Sequence, residues 1–84
     1  MNLCMVCGKI VSDVKYNFLY DYKYNVVIAF FKLELNNKIQ VDLYAFDEVA
    51  DDIYKRLKIG DYVLFEGKIR TSGKLEIVWC EKLE

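Results

Sequence analysis

Apolar and polar residues alternate along most of this chain, and the alternation predicts strands. Leu3 to Val14 reads as a first strand. Cys4, Val6, Gly8 and Ile10 share one face; Met5, Cys7, Lys9 and Val11 share the other. Both faces are apolar, so the strand is expected to be covered twice, by the core and by a loop or another subunit. Gly8 in mid-strand marks a bend or a close backbone approach. Next, Tyr16, Phe18, Tyr20, Tyr22 and Tyr24 recur at every second position, interrupted by Asn17, Asp21, Lys23 and Asn25. This segment is expected to form a long connection, or the tip of a twisted hairpin with its bend near Asp21.

Val26 to Leu35 is the second predicted strand. Lys32 and Glu34 mark its solvent parity, which sends Val27, Ala29, Phe31, Leu33 and Leu35 inward and leaves Ile28 and Phe30 outward. Asn36-Asn37-Lys38 makes a tight turn, with an asparagine in the left-handed conformation. The third strand, Ile39 to Phe46, turns Ile39, Val41, Leu43 and Ala45 inward. A three-residue turn then sets Lys32 opposite Asp42, Phe30 opposite Tyr44 and Ile28 opposite Phe46, pairing opposite charges and aromatic rings.

Asp47 to Lys58 predicts a helix, capped by Asp47 and stopped by Gly60. Acidic residues load its start (Glu48, Asp51, Asp52) and basic residues its end (Lys55, Arg56, Lys58). Val49, Ala50, Ile53, Tyr54 and Leu57 form its apolar face. Asp61 to Arg70 is the fourth strand, with Val63, Phe65, Gly67 and Ile69 inward. Thr71 to Lys74 is a hairpin turn, and Leu75 to Leu83 is the fifth strand. A two-residue loop would bury Val78 and Cys80 there; a loop with a bulge would bury Ile77 and Trp79. The expected fold is all-β. It is a five-stranded OB-fold Greek-key barrel with one short helix between strands three and four, formed by residues 1–84 as a single domain.

The chain has 84 residues, 55% of them hydrophobic and 15% aromatic, which predicts a folded domain with apolar surface to spare for self-association. Its net charge of −1 does not suggest a strongly basic nucleic-acid binder, so any phosphate contact must come from a local patch. No apolar run approaches the roughly 20 residues that span a bilayer. The start of the chain lacks the basic region of a signal peptide. A cytoplasmic location is expected, with no membrane partner.

Gln40 to Thr71 resembles the corresponding part of bacterial single-stranded-DNA-binding proteins. The likeness rests on Phe46, Val49-Ala50, Gly60, Val63, Phe65, Glu66-Gly67, Ile69, Arg70 and Thr71, with Glu66 to Thr71 reading E-G-x-I-R-T. Met5 to Ile10 followed by Asp13 is similar to the first strand of that family. The resemblance implies an OB fold, single-stranded nucleic acid as ligand, and a homo-oligomer, dimer or tetramer. Primosomal replication protein N, a short OB-fold dimer, belongs to the same group. Three features depart from the pattern. The loop between strands two and three is only Asn36 to Lys38, a stacking aromatic is replaced by Gln40, and an arginine-like position holds Asp42. No acidic, apolar-tipped tail occurs in the 84 residues.

The outward aromatics Phe30, Tyr44 and Phe46 are the candidate platform for stacked bases. Lys9, Lys32, Lys38, Lys68 and Arg70 are the candidate phosphate contacts. The expected function is sequence-tolerant binding of single-stranded DNA, or RNA, in replication, repair or recombination. The competing reading is an OB-fold protein–protein interaction module whose aromatic face lies under the Tyr16–Tyr24 loop or another subunit. The tyrosine segment itself either packs against a barrel end or clamps a strand, and Trp79 is a stacking or a rim residue.

Cys4 and Cys7 fall on opposite faces of a strand, histidine is absent and Cys80 is the only other cysteine, so no metal site is expected. Neither a nucleophile motif nor a Gly-rich phosphate loop occurs, so no enzyme activity, cofactor or small-molecule substrate is expected.

Overall fold

The structure is a computed structural model, and it describes residues 3–20, 25–70 and 74–83. Six strands and one helix follow one another: β1 (Leu3–Ile10), β2 (Lys15–Tyr20), β3 (Asn25–Glu34), β4 (Gln40–Phe46), α1 (Asp47–Arg56), β5 (Tyr62–Ile69) and β6 (Leu75–Lys82). The strand order β1-β5-β6-β4-β3-β2, with a further β1–β3 pairing, closes five strands into a barrel. β2 is an extra strand, antiparallel to the first half of β3, with Tyr16 opposite Ala29 and Lys15 opposite Phe30. This is the expected all-β OB fold with its helix between the third and fourth barrel strands.

Two short seams complete the closure. β4 runs parallel to β6 at Leu43–Leu75 and Tyr44–Glu76. β1 meets β3 at Lys9–Glu34 and Ile10–Leu33. At the second seam a Cβ on Gly8 would lie 2.3 Å from the Glu34 carbonyl oxygen, so only glycine lets the two strands approach.

Ile10, Phe31, Leu33, Leu43, Val63, Phe65 and Ile77 fill the barrel. The rings of Phe31 and Phe65 meet at 5.6 Å between centroids. Helix α1 joins the same core through Ala50 and Ile53, with Leu57 just beyond its end. The β3–β4 register is the expected one, including Lys32–Asp42, Phe30–Tyr44 and Ile28–Phe46.

Several local expectations are corrected. Of the two expectations for the tyrosine segment, the long connection is overturned and the hairpin fits: Lys15–Tyr20 is a strand antiparallel to β3, whose hydrogen bonds outweigh the turn preference of Asn17. The proposed bend at Asp21, Tyr22 and Tyr24, and the turn residues Thr71 to Gly73, lie outside the described residues. β1 ends at Ile10, not Val14. Lys38, not an asparagine, takes the left-handed conformation in the turn, at φ 69°. Asp47 does not cap α1. It lies at φ 50°, and its Oδ1 accepts the Val27 N–H at 3.3 Å instead. Gly60 does not stop the helix, which ends at Arg56; it turns the chain into β5 at φ 96° and donates its N–H to the Ile10 carbonyl. Ile39 and Ile69 have inward parity yet are exposed, because both lie beyond the extent of the core. In β6, a bulge at Val78 lets Ile77 and Cys80 both turn inward while Trp79 turns out, so each alternative was half right.

Candidate nucleic-acid interface

The outer face of β3 and β4 builds the candidate site from alternate residues of two paired strands. Phe30 stands opposite Tyr44, and Ile28 opposite Phe46. Tyr44 and Phe46 are half-buried and meet edge to face at 5.4 Å. Phe30 is the most open of the three platform rings. Beside them an open groove of about 640 Å³ runs over Phe30 and Tyr44, with Ser12, Asp13 and Lys15 along its margin. Its wall is held in place locally: the Ser12 hydroxyl accepts the Lys32 N–H at 2.7 Å, and Val11 N–H donates to the Lys32 carbonyl at 3.0 Å.

Charges on this face are mostly paired. Lys32 Nζ donates to Asp42 Oδ1 at 3.0 Å, two residue pairs along from Phe30–Tyr44 and on the same face. Arg70 Nε donates to Glu76 Oε1 at 2.8 Å, and Glu76 is the β6 neighbour of Tyr44. The Glu76 carboxylate raises the Arg70 pKa further above its ordinary value, chiefly through that hydrogen bond. Thus Lys32 and Arg70, two of the candidate phosphate contacts, each already hold a carboxylate.

The other candidate lysines are distributed unevenly. Lys68 lies on the same cross-strand row as the platform, which runs Lys15, Phe30, Tyr44, Glu76, Lys68 across four strand pairs. Lys9 sits at the β1–β3 seam opposite Glu34. Lys38 lies in the β3–β4 turn, six residues from Tyr44 and thus about 20 Å away along the strand direction. The structure therefore gathers Phe30, Tyr44, Phe46, Lys32, Lys68 and Arg70 and leaves Lys38 distant.

Lys15, considered from the sequence only as charge for a strand clamp by the tyrosine segment, lies instead at the platform: it pairs with Phe30, so its side chain shares the Phe30 face. Lys74 reaches the groove from the start of β6.

Within the tyrosine segment, Tyr16 and Phe18 lie on the face of β2 away from this platform. Tyr16 shares the Ala29 side of the hairpin, stacks on Tyr54 of α1 at 4.6 Å, and donates its hydroxyl to Asp51. That hydrogen bond raises the Tyr16 pKa. Tyr16 therefore packs against the helix. Trp79 is exposed on the outer face of β6, opposite Glu66. Cys80 is half-buried between β6 and α1, near Arg56 and Asp52, and burial pushes its thiol pKa up. Among the described residues no group of three or more acidic or cysteine side chains could hold a metal ion. Nor is any helix among them long and apolar enough to cross a membrane.

No family model matches the chain, and no curated protein matches its sequence. Solved structures do match. The SSB domain of a Synechococcus sp. protein superposes with a TM-score of 0.75 at 19% identity, over 96% of this chain and 94% of that one. The single-stranded DNA binding protein of Thermus aquaticus superposes with a TM-score of 0.80 at 18% identity, over 100% of this chain. This chain spans 41% of the length of that protein. A deletion variant of the Thermus aquaticus protein matches equally well, with a TM-score of 0.80 at 18% identity. At these identities the likeness is one of fold: the chain is an OB-fold barrel similar in fold to those SSB domains.

Proposed function

We propose that this protein binds single-stranded nucleic acid across the outer face of β3 and β4. The observation that carries the reading is the cross-strand row in which Lys15, Phe30, Tyr44 and Lys68 occur together beside an open groove. Stacking on such rings contributes about 1–3 kcal/mol per base, and lysines at both ends of the row suit a phosphate backbone running across it. The SSB domains that share the fold support the same ligand class. Binding, rather than catalysis, is the reading that fits a site of rings and paired charges.

The test is fluorescence anisotropy with a labelled mixed-sequence single strand at low salt. Phe30→Ala and Tyr44→Ala should each weaken binding by roughly 5- to 150-fold, the equivalent of about 1–3 kcal/mol. Absence of binding at micromolar protein, or full affinity in both variants, would sink the reading.

A second surface favours self-association. Met5 and Trp79 are exposed on the outer faces of β1 and β6, and both lie opposite Glu66 of β5 between them. Along Leu3–Gly8, β1 pairs with β5 on one edge, and no other pairing is formed there among the described residues. An edge of that kind accepts another strand. A homo-oligomer joined through β1 uses this surface and leaves the platform open. Light scattering after size exclusion checks it: Tyr44→Ala should leave the mass unchanged. A loss of mass in that variant would instead make the platform a protein interface.

A further inference from the structure

We propose that Arg70 is a positioning residue for the Tyr44 ring rather than a phosphate contact. This rests on the nucleic-acid reading and names what holds that site in shape. Tyr44 and Glu76 are neighbours in the parallel β4–β6 seam, and Glu76 pairs in turn with Lys68 of β5. Arg70 follows two residues after Lys68 and continues its parity, so its side chain shares the outer face of Lys68, Glu76 and Tyr44. Its backbone N–H donates to the Lys74 carbonyl at 3.0 Å, which fixes the root of the side chain. Its Nε donates to Glu76 Oε1 at 2.8 Å, and Nη2 donates to the same oxygen. The Glu76 side chain is mostly buried, 18% exposed against 45% for Arg70, so the carboxylate is the fixed end of the pair.

A guanidinium carries its donors in a rigid planar fork and can serve two partners at once. The second partner of Arg70 is the Tyr44 side chain: Glu76 is the larger influence that raises the Arg70 pKa, and a hydrogen bond with Tyr44 adds to it. Tyr44 also meets Phe46 edge to face at 5.4 Å. The ring is thus held by an aromatic edge and by an anchored cation. A ring already fixed gives up less rotamer freedom when a base stacks on it. Glu76 already matches the Arg70 charge, so Arg70 adds little to the neutralisation of phosphates.

Anisotropy titrations of the full chain with a labelled mixed-sequence single strand, at several salt concentrations, provide the test. Arg70→Ala combined with Glu76→Gln removes one charge of each sign and leaves the net charge unchanged. Affinity should fall about three- to tenfold, the cost of ordering one side chain on binding. The slope of log affinity against log salt should not change. In protein that also carries Tyr44→Phe, the same two changes should cost less than about twofold, since no hydroxyl remains to be held. Arg70→Lys keeps the charge but not the fork, and should weaken binding nearly as far as the double change. A slope flatter by about 0.7 in the double variant would mean that Arg70 neutralises a phosphate, and would overturn the inference. Full affinity in Arg70→Lys, or an undiminished loss in the Tyr44→Phe background, would overturn it as well. Each of these results leaves the nucleic-acid reading intact. If the unaltered protein binds no strand, that reading falls and the role of Arg70 falls with it.

Discussion

Replacing Gly8 with alanine should loosen the barrel at its shortest antiparallel seam. The new Cβ would lie 2.3 Å from the Glu34 carbonyl oxygen and 3.1 Å from the Leu33 side chain. Real Cβ contacts do not fall below 3.0 Å, so β1 and β3 must part by at least 0.7 Å. The Val11 N–H to Lys32 carbonyl bond, now 3.0 Å, then exceeds 3.5 Å. The Ser12 hydroxyl contact with the Lys32 N–H, now 2.7 Å, stretches towards the same limit. Each such bond contributes about 0.5–1.5 kcal/mol, and strain from an added methyl group about 1–3 kcal/mol. Alanine restricts the unfolded chain and returns about 0.4–1 kcal/mol. The net expectation is a loss of about 1–5 kcal/mol. Urea unfolding at fixed protein concentration measures it. With a slope near 1 kcal/mol per molar, suited to a short chain, the midpoint should fall by about 1–5 M. Gly67→Ala is the control: its Cβ would meet the Glu76 carbonyl oxygen at 3.0 Å, a contact relieved by a few tenths of an ångström. A Gly8→Ala midpoint within about 0.5 M of the unaltered protein, or a larger loss in Gly67→Ala, would refute the argument that this seam holds the barrel closed.

Four further outcomes follow from named contacts. Phe65→Ala, which removes a fully buried ring and its partner contact with Phe31, should cost about 3–5 kcal/mol in the same unfolding assay. Cys7 is exposed and should react with iodoacetamide well before Cys80, whose thiol pKa burial raises; peptide mass spectrometry at early times reads the order. Asp52 accepts two hydrogen bonds from Arg56, which hold its carboxyl pKa below the ordinary 3.8. Its stabilisation is therefore complete above that value and is lost as pH falls through the lower folded-state pKa. The stability difference between the unaltered protein and Arg56→Ala, about 0.3–0.5 kcal/mol for an exposed helical pair, should accordingly vanish in strong acid. Finally, the row holds two lysines without an ion pair among the described residues, Lys15 and Lys68. The logarithmic salt dependence of single-strand binding should then have a slope of about −1.4, the value for two neutralised phosphates.

Strand parity was legible because each strand keeps one dry face, and the β3–β4 register followed from that parity and the three-residue turn, with Lys32 opposite Asp42. Parity names a face, however, and says nothing about how far the core extends. Ile39 and Ile69 have the inward parity and lie past the end of the packed interior. The bulge at Val78 was open for the same reason: a single extra residue exchanges the two faces, and alternation on either side of it looks unbroken. β2 was hidden by composition. Asn17 prefers turns, yet here it lies opposite Ile28 in an antiparallel pair, so long-range pairing decided its conformation. Asp47 looked like a helix cap by type and position, but its carboxylate serves the Val27 N–H of a neighbouring strand. Local sequence cannot announce a partner twenty residues away.

The candidate site shows why a net charge of −1 is a poor guide to this surface. The described groove margin carries Lys15, Lys32 and Lys74 against Asp13 and Asp42, a local balance of +1. All five residues are plain in the sequence, but the effect of their charges depends on spacing that only the folded sheet supplies. Lys32 is spent on Asp42, and Arg70 on Glu76. Lys15, just ahead of the tyrosine segment in sequence, becomes the end of the platform row. Attraction for a polyanion is therefore weak at long range, and affinity must come from contact with the rings. On the proposed reading, binding here gains little from counterion release and rests on stacking against Phe30 and Tyr44. On the same reading, Asp42 lowers the attraction of this face for phosphate, because it already holds the Lys32 ammonium group.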